Sequence, residues 1–408
     1  VALAPSRRQV ICQFKYLSYF RGSLPQKRSL RRWRHRLKLG QLRRKKMTIP
    51  HLAQHRPAIH YYSRLEMQRL GVQFDPAEVQ AVADRAWSDI RDDRTYGLKS
   101  VLSMRETELW SDPELIHLRS AFSDERLGWK LSSLAAANPH CAGVKVIGAN
   151  ALNRHFGKPR STSTFLLLDK VGLYPLCLMD STELSAARTA TYPVLVSDLF
   201  LGDETEPYDV FLFGAGPISE KIIMGLGVNR SRRIRRVYIR SRTEESSKRL
   251  SRSLEHKVPF PLIAVAGNQK AVECRLVITA SNANAPVFEV NDLAPDVVLL
   301  HLGGDECPAT FVGQALRRGT VVCDDIKIVA SRGSQSLPLY FTRRGSSLDE
   351  VASLFGIANL ATIHAGSSSD CPSPVFVTCV GLPMLDLYLA QYVYEKYLKE
   401  MPASDRWS

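Results

Sequence analysis

Residues 209–219 read DVFLFGAGPIS, and this stretch decides the fold. Four apolar residues, Val210 to Phe213, run into Gly214-Ala215-Gly216, and an apolar-periodic segment follows from Ile222 to Leu226. A buried strand, a tight glycine turn and a helix start, in that order, form the dinucleotide-binding fingerprint. Gly214 lets the chain turn, and Gly216 lets the backbone approach a pyrophosphate. The small Ser219 stands where helix packs on strand. Phosphates then sit on the free N–H groups of the helix N-terminus. A purely structural strand–turn–helix would share the local pattern, but the flanks favour cofactor binding.

Downstream, strands are expected at Arg236–Ile239, Leu262–Ala264, Leu276–Thr279, Val297–Leu300 and Thr320–Cys323, with helical segments between them. That alternation predicts an α/β protein with a parallel sheet and ligands at the strand C-terminal ends. Upstream, Asp75-Pro76 opens a helix to Trp87, and Leu65–Val72 is a second amphipathic segment. Lys99–Leu109 reads as a strand and turn carrying Arg105, and AGVKVI, Ala142–Ile147, as a strand. Ser163–Leu168 and Tyr174–Met179 read as a hairpin, Glu183–Leu201 as one long helix and Pro383–Tyr397 as the last helix.

The net charge of +15 is misleading. Residues 1–46 hold 15 Lys and Arg and no Asp or Glu, which leaves 40 basic and 40 acidic residues in the body. The body is therefore not a basic protein, and a nucleic-acid-binding reading would use the leader. The leader reads as a basic arm, as a transit peptide poor in serine, or as residues outside the native protein. The last reading rests on Met47, the first methionine, two codons after an Arg43-Arg44 pair that AGG-AGG could encode as a ribosome-binding sequence. No apolar run is long enough to span a membrane. The eight cysteines form no CxxC pair, so no metal site is expected and a reducing cytoplasm fits.

Four charged residues stand out by their surroundings. Lys145 lies in an apolar strand, where a lysine is costly unless paired or employed. Arg188 sits among small residues in SAARTATYP. Asp305 ends HLGGDE just past a sheet strand. Arg160, in GKPRSTST, reads as a loop cation or a carboxylate clamp.

AGVKVIGAN, MDSTELSAARTATYP, FLFGAGPISE, VITASNANAPVF and HLGGDECPATFV resemble, in order, motifs of the ornithine cyclodeaminase/mu-crystallin family over residues 60–395. GKPRSTSTFLLLD and SRGSQSLPLYFTRRG resemble the branch that makes 2,3-diaminopropionate for siderophores and peptide antibiotics. The resemblance implies a Rossmann domain, residues 193–329, inserted into an α+β substrate and dimerisation domain of residues 47–192 and 330–400. It implies a homodimer and an NAD(P)-dependent dehydrogenase of N-(2-amino-2-carboxyethyl)-L-glutamate. Lys145 and Asp305 match catalytic residues, and Arg188 matches a carboxylate-binding arginine, with Arg160 and more loosely Arg105 beside it. Thr189, Thr279 and Ser281 join Gly214, Gly216, Ser219, Ser241 and Arg242 as cofactor-binding candidates. Ornithine cyclisation is disfavoured because the acidic residue that cyclodeaminases carry shortly before the lysine is missing. Lys130 lies near that place. The sequence Arg240-Ser241-Arg242-Thr243 suits a 2′-phosphate better than a 2′-hydroxyl, favouring NADP over NAD.

Overall fold

The computed structural model describes residues 59–122, 127–230, 233–283, 285–364 and 371–399. The leader and Met47 lie outside the described residues. Two sheets organise the chain. The first has six strands in the order β1-β6-β5-β4-β3-β2. They are β1 Tyr61–Tyr62, β2 Tyr96–Ser103, β3 Lys130–Ala137, β4 Cys141–Ala149, β5 Ser161–Asp169 and β6 Pro175–Asp180. All its pairings are antiparallel except β1 with β6.

The second sheet has eight parallel strands in the order β13-β12-β14-β11-β10-β7-β8-β9. They are β7 Tyr208–Phe213, β8 Ile234–Arg240, β9 Leu262–Ala264, β10 Leu276–Thr279, β11 Val298–His301, β12 Thr320–Cys323, β13 Ala358–Asn359 and β14 Val375–Thr378. Every residue of β7, β10, β11 and β14 is buried. Strands covered on both faces need such continuous apolar runs. The order reverses between β7 and β10, so the ligand crevice opens where Gly214 and Ala280 leave the sheet.

Three expectations change. The segment 330–400 does not all join the antiparallel half. Val375–Thr378 inserts between β11 and β12, because its four apolar or small residues fill the parallel core. The long helix divides into Thr182–Thr189 and Thr191–Phe200. Pro193 has no N–H for the Thr189 carbonyl and its ring would crowd that carbonyl, so the helix breaks at Ala190. Strand β2 ends at Ser103, and Arg105 instead precedes the short helix Glu106–Leu109.

The helix Pro76–Arg91 starts as its sequence predicts, with Asp75 Oδ1 accepting from the Ala77 and Glu78 N–H groups at 3.0 Å. Val79, Val82, Ala83 and Ala86 form its buried stripe. It packs on the helix Pro217–Asn229 after β7 and on the last helix, Pro383–Val393, which covers the inner face of β2–β5.

Gly214 has φ +120°, and a Cβ there would lie 2.5 Å from the Ala280 carbonyl oxygen. Gly216 has φ −94°, and a Cβ would meet nothing within 4 Å. Gly214→Ala should therefore destabilise the fold by about 1–3 kcal/mol. Gly216→Ala should leave the unfolding midpoint near wild type while its methyl intrudes on the crevice. Denaturant melts of both variants check this contrast, and equal midpoints would contradict it.

Candidate functional site

A cleft of about 1560 Å³ is lined from both halves of the fold. That volume exceeds the usual small-molecule pocket of about 300–1,000 Å³, so it has room for a dinucleotide and a substrate together. At one end lie Gly214, Gly216 and the start of the helix Pro217–Asn229. The open space beside Gly216 is the cradle that a side chain would fill, so these residues fit a pyrophosphate. Ser219 is fully buried behind the turn and packs helix on strand. Arg240 at the end of β8, and Ser241, Arg242 and Arg249 beyond it, continue the cleft wall. The Arg240 guanidinium donates to the Val287 carbonyl at 2.8 Å and lies over the Phe213 ring.

One cofactor candidate lies away from the cleft, and another lines it but is engaged by a carboxylate. Thr279 is fully buried under the cleft floor, because β10 is covered on both faces. Ser281 lines the cleft, but its N–H donates to Glu306 Oε1 at 2.9 Å and its hydroxyl bonds the same oxygen. Burial pushes the Glu306 carboxyl up to about 7. Thr189 lines the cleft and donates its hydroxyl to the Ser185 carbonyl at 2.7 Å.

At the other end the strand register sets the chemistry. Lys99, Leu134, Lys145, Phe165 and Met179 are successive partners across β2–β6 and face inward. Lys145 is completely buried, and its Nζ lies 2.5 Å from Asp386 Oδ1 and 3.0 Å from Ser185 Oγ. Arg188 Nε donates to the same Asp386 oxygen at 2.9 Å. One carboxylate on the last helix thus holds both cations that the sequence singled out. Burial pulls the Lys145 ammonium down to about 8 against the opposing pull of Asp386. Arg188 and Lys145 together hold the Asp386 carboxyl below its usual range despite burial.

Arg188 and Arg160 line the cleft, whereas Lys145 lies just behind it and Ser185 intervenes. The Arg188 guanidinium lies so close to Gly381, φ +84°, that a Cβ there would sit 2.2 Å from Nη1. Arg105 is exposed and does not line the cleft, since it falls beyond the end of β2. Asp305 follows β11 as expected, but its carboxylate is bound to Arg343, and it is not among the cleft-lining residues. Arg343 comes from beyond the helix Ser336–Thr342, a contact no local pattern announces.

The sequence reading missed Lys99, Arg332, Asp324 and Asp386. Lys99 and Arg332 line the cleft. Lys99 Nζ donates to the Val380 carbonyl at 2.8 Å, and burial together with Arg332 and Arg188 holds its ammonium well below the ordinary lysine value. Asp324 accepts from the Tyr192 hydroxyl and from the Val380 and Gly381 N–H groups at 2.8–2.9 Å. The signal that marked Lys145, one charge in an apolar segment, was equally present for Asp386 in PMLDLYLA.

Among the described residues no cluster of metal-ligating side chains occurs, and Cys141, Cys177, Cys274, Cys307, Cys323 and Cys379 are buried thiols. No helix among them is long and apolar enough to cross a membrane.

Fold and cleft together define a Rossmann-type protein with a second, antiparallel sheet over the ligand crevice. The chain belongs to the ornithine cyclodeaminase/mu-crystallin family, whose profile matches residues 117–401. A Bacillus cereus Delta(1)-pyrroline-2-carboxylate reductase is 25% identical over 285 residues, covering 67% of this chain and 83% of the relative. The structure of Thermococcus litoralis Delta(1)-pyrroline-2-carboxylate reductase in complex with NADH and L-proline superposes with a TM-score of 0.67 at 17% identity, covering 84% of this chain and 98% of the other. An archaeal alanine dehydrogenase dimer with bound NAD gives 0.63 at 15% identity, covering 84% and 97%.

Asp386→Asn removes the one anion between two buried cations. Breaking such a pair costs about 3–5 kcal/mol. The variant should lose stability of that order in denaturant melts, and Lys145→Met combined with Asp386→Leu should recover much of it. A single variant as stable as wild type would show that the contact is not structural.

Proposed function

We propose that this chain is an NAD(P)-dependent oxidoreductase acting on the CH–NH group of an amino acid. Its substrate is a secondary amine carrying several carboxylates, such as N-(2-amino-2-carboxyethyl)-L-glutamate. The observation that carries this reading is the charge of the cleft. Its lining contains twelve Lys or Arg and two Glu. Three of the arginines, Arg240, Arg242 and Arg249, belong to the cofactor end. They suit a 2′-phosphate, so NADP is preferred over NAD, and titration with both cofactors decides it. The cations at the other end exceed what a monocarboxylate amino acid needs. Guanidinium–carboxylate pairs fix position as well as charge.

A nicotinamide cofactor held at Gly214–Gly216 would supply the hydride acceptor for the glutamate Cα–H. Arg188, with Arg160 beside it, holds substrate carboxylates and so aims that Cα–H. Removal of the amine proton frees the nitrogen lone pair to form the imine. Ser185, between the cleft and Lys145, passes that proton inward to the neutral form of Lys145, which for a lysine near 8 is the minor form at pH 7 and becomes the larger share as pH rises above 8. Asp305, at the mouth of β11, is assigned the direction of water to the imine carbon, a role that requires its carboxylate to turn from Arg343 towards the cleft that it does not line. The resulting carbinolamine collapses to 2,3-diaminopropionate and 2-oxoglutarate; the resemblance of GKPRSTSTFLLLD and SRGSQSLPLYFTRRG supports a role in siderophore or peptide-antibiotic biosynthesis.

A cyclodeaminase acting on ornithine is the rival within the family. It is disfavoured by Lys130, a cleft-lining cation that would repel the ornithine side-chain ammonium. A non-catalytic, mu-crystallin-like binder of NADPH is the other. The proposed unit is a homodimer. Leu98, Ala135, Val144, Leu166 and Leu178 are successive partners on the outer face of β2–β6, and Leu98, Leu102 and Leu131 are exposed there. A second copy of the same face would cover this apolar patch. Sedimentation giving a monomer would remove that part. The buried thiols of Cys141, Cys177, Cys274, Cys307, Cys323 and Cys379, outside any disulfide, suit a reducing cytoplasm.

The assay follows reduced nicotinamide by its near-ultraviolet absorbance and the products by mass spectrometry. The N-substituted glutamate should give 2-oxoglutarate and reduced cofactor in equal amounts. Turnover of ornithine to proline would establish the cyclodeaminase reading instead, and cofactor binding without any turnover the binder. Asp305→Asn should lower kcat by about 10²–10⁴-fold with cofactor affinity near wild type. Normal turnover with a lowered Tm would reduce Asp305 to a structural partner of Arg343.

A further inference from the structure

Arg332 is the last residue of the helix Ile326–Arg332, which follows β12 of the parallel sheet and packs against β2 of the antiparallel one. The helix ends there because Gly333 turns left-handed at φ +58°. Arg332 is half-buried and lines the cleft opposite the half that supplies Arg160 and Arg188. Its charged neighbours are Asp324 and Glu306, which favour its cation, and Arg188 and Arg160, which oppose it. Lys99 in turn is disfavoured by Arg332 and Arg188. Burial pulls the Arg332 guanidinium down to about 10, which leaves it charged at neutral pH.

The nearby carboxylates are already committed. Asp324 takes hydrogen bonds from Tyr192, Val380 and Gly381. Glu306 is engaged by Ser281. Asp386 serves Lys145 and Arg188. Arg332 therefore brings a further positive charge into a cleft that already holds Arg160, Arg188 and Lys99. Like charges gathered out of water are costly unless an anion joins them. The cofactor phosphates are not that anion, because their cradle is at Gly214–Gly216 and along Arg240–Arg249.

We propose that Arg332 determines substrate specificity by binding a second carboxylate of the substrate, distinct from the one on Arg188, so that the cleft selects dicarboxylic amino and keto acids over monocarboxylic ones. This rests on the oxidoreductase reading above and adds to it the residue that reads the glutamate side-chain carboxylate. Arg160 and Arg188 reach the cleft from the antiparallel half and Arg332 from the parallel half. A dicarboxylate would thus bridge the two halves across the reacting carbon.

The test compares wild type, Arg332→Gln and Arg332→Lys, each with cofactor bound. Its first arm measures turnover of N-(2-amino-2-carboxyethyl)-L-glutamate and of the analogue whose side-chain carboxylate is a carboxamide. Arg332→Gln should raise KM for the acid by about 10–100-fold, the loss expected for one charge-assisted contact. It should affect the amide little, so the preference for the acid collapses, and Arg332→Lys should restore part of it. Cofactor affinity and Tm should stay near wild type.

The second arm measures calorimetric binding of 2-oxoglutarate and of pyruvate, which needs no turnover. Arg332→Gln should weaken 2-oxoglutarate and leave pyruvate unchanged. Equal losses for acid and amide, or for both keto acids, would overturn the inference, as would no loss at all. If wild type fails to oxidise the N-substituted glutamate yet binds 2-oxoglutarate through Arg332, the function reading falls and the inference stands.

Discussion

The buried contact of Lys145 and Arg188 with Asp386 is the constraint on which the site depends. It joins three elements: β4, the helix Thr182–Thr189 and the last helix Pro383–Val393. Taking a lysine, an arginine and an aspartate out of water is expensive, and hydrophobic residues of similar volume often serve stability better. Such a trio earns its place by what it positions. Here one carboxylate fixes a lysine behind Ser185 and an arginine at the cleft surface. The lysine is held near 8, between burial that pulls it down and Asp386 that pulls it up.

The loop from β14 into the last helix transmits that constraint to the parallel sheet. Val380 and Gly381 are clasped by Asp324 from the end of β12, and Val380 accepts from Lys99 on β2. Gly381 also leaves room for the Arg188 guanidinium. Thus the strand that completes the parallel sheet delivers the helix that organises the antiparallel one. The two sheets cannot be repositioned independently without disturbing these hydrogen bonds. The cleft between them is correspondingly rich in fixed positive charge, which sets the class of ligand it can hold.

The elements most legible in sequence are those with one strong local cause. Strands β7, β10, β11 and β12 are short apolar runs closed by turn residues, and they form where expected. Asp75-Pro76 caps its helix as read. Less visible is β3, KLSSLAAA, whose serines and alanines have weak strand preference. It is a strand because β2 and β4 pair with it on either side. VFVT at 375–378 is a good strand sequence, but only the tertiary fold decides that it enters the parallel sheet between β11 and β12.

The sequence by itself determined the dinucleotide turn, because Gly214 must adopt φ +120° against a carbonyl and no other residue does so cheaply. It also marked Lys145 and Arg188, since a charge among apolar or small residues is improbable without employment. It could not name their partner. Asp386 lies 241 positions after Lys145 and 198 after Arg188, and only packing of the last helix on β4 joins them. Likewise Asp305 was placed correctly at the end of β11, but its engagement with Arg343 is a tertiary contact. Lys99 faces the cleft because the pleat puts odd-numbered residues of β2 inward, and Arg332 faces it because its helix ends against β2. Local chemistry is written in the chain one residue at a time. Charge compensation and convergence depend on distances between elements that only the closed fold sets.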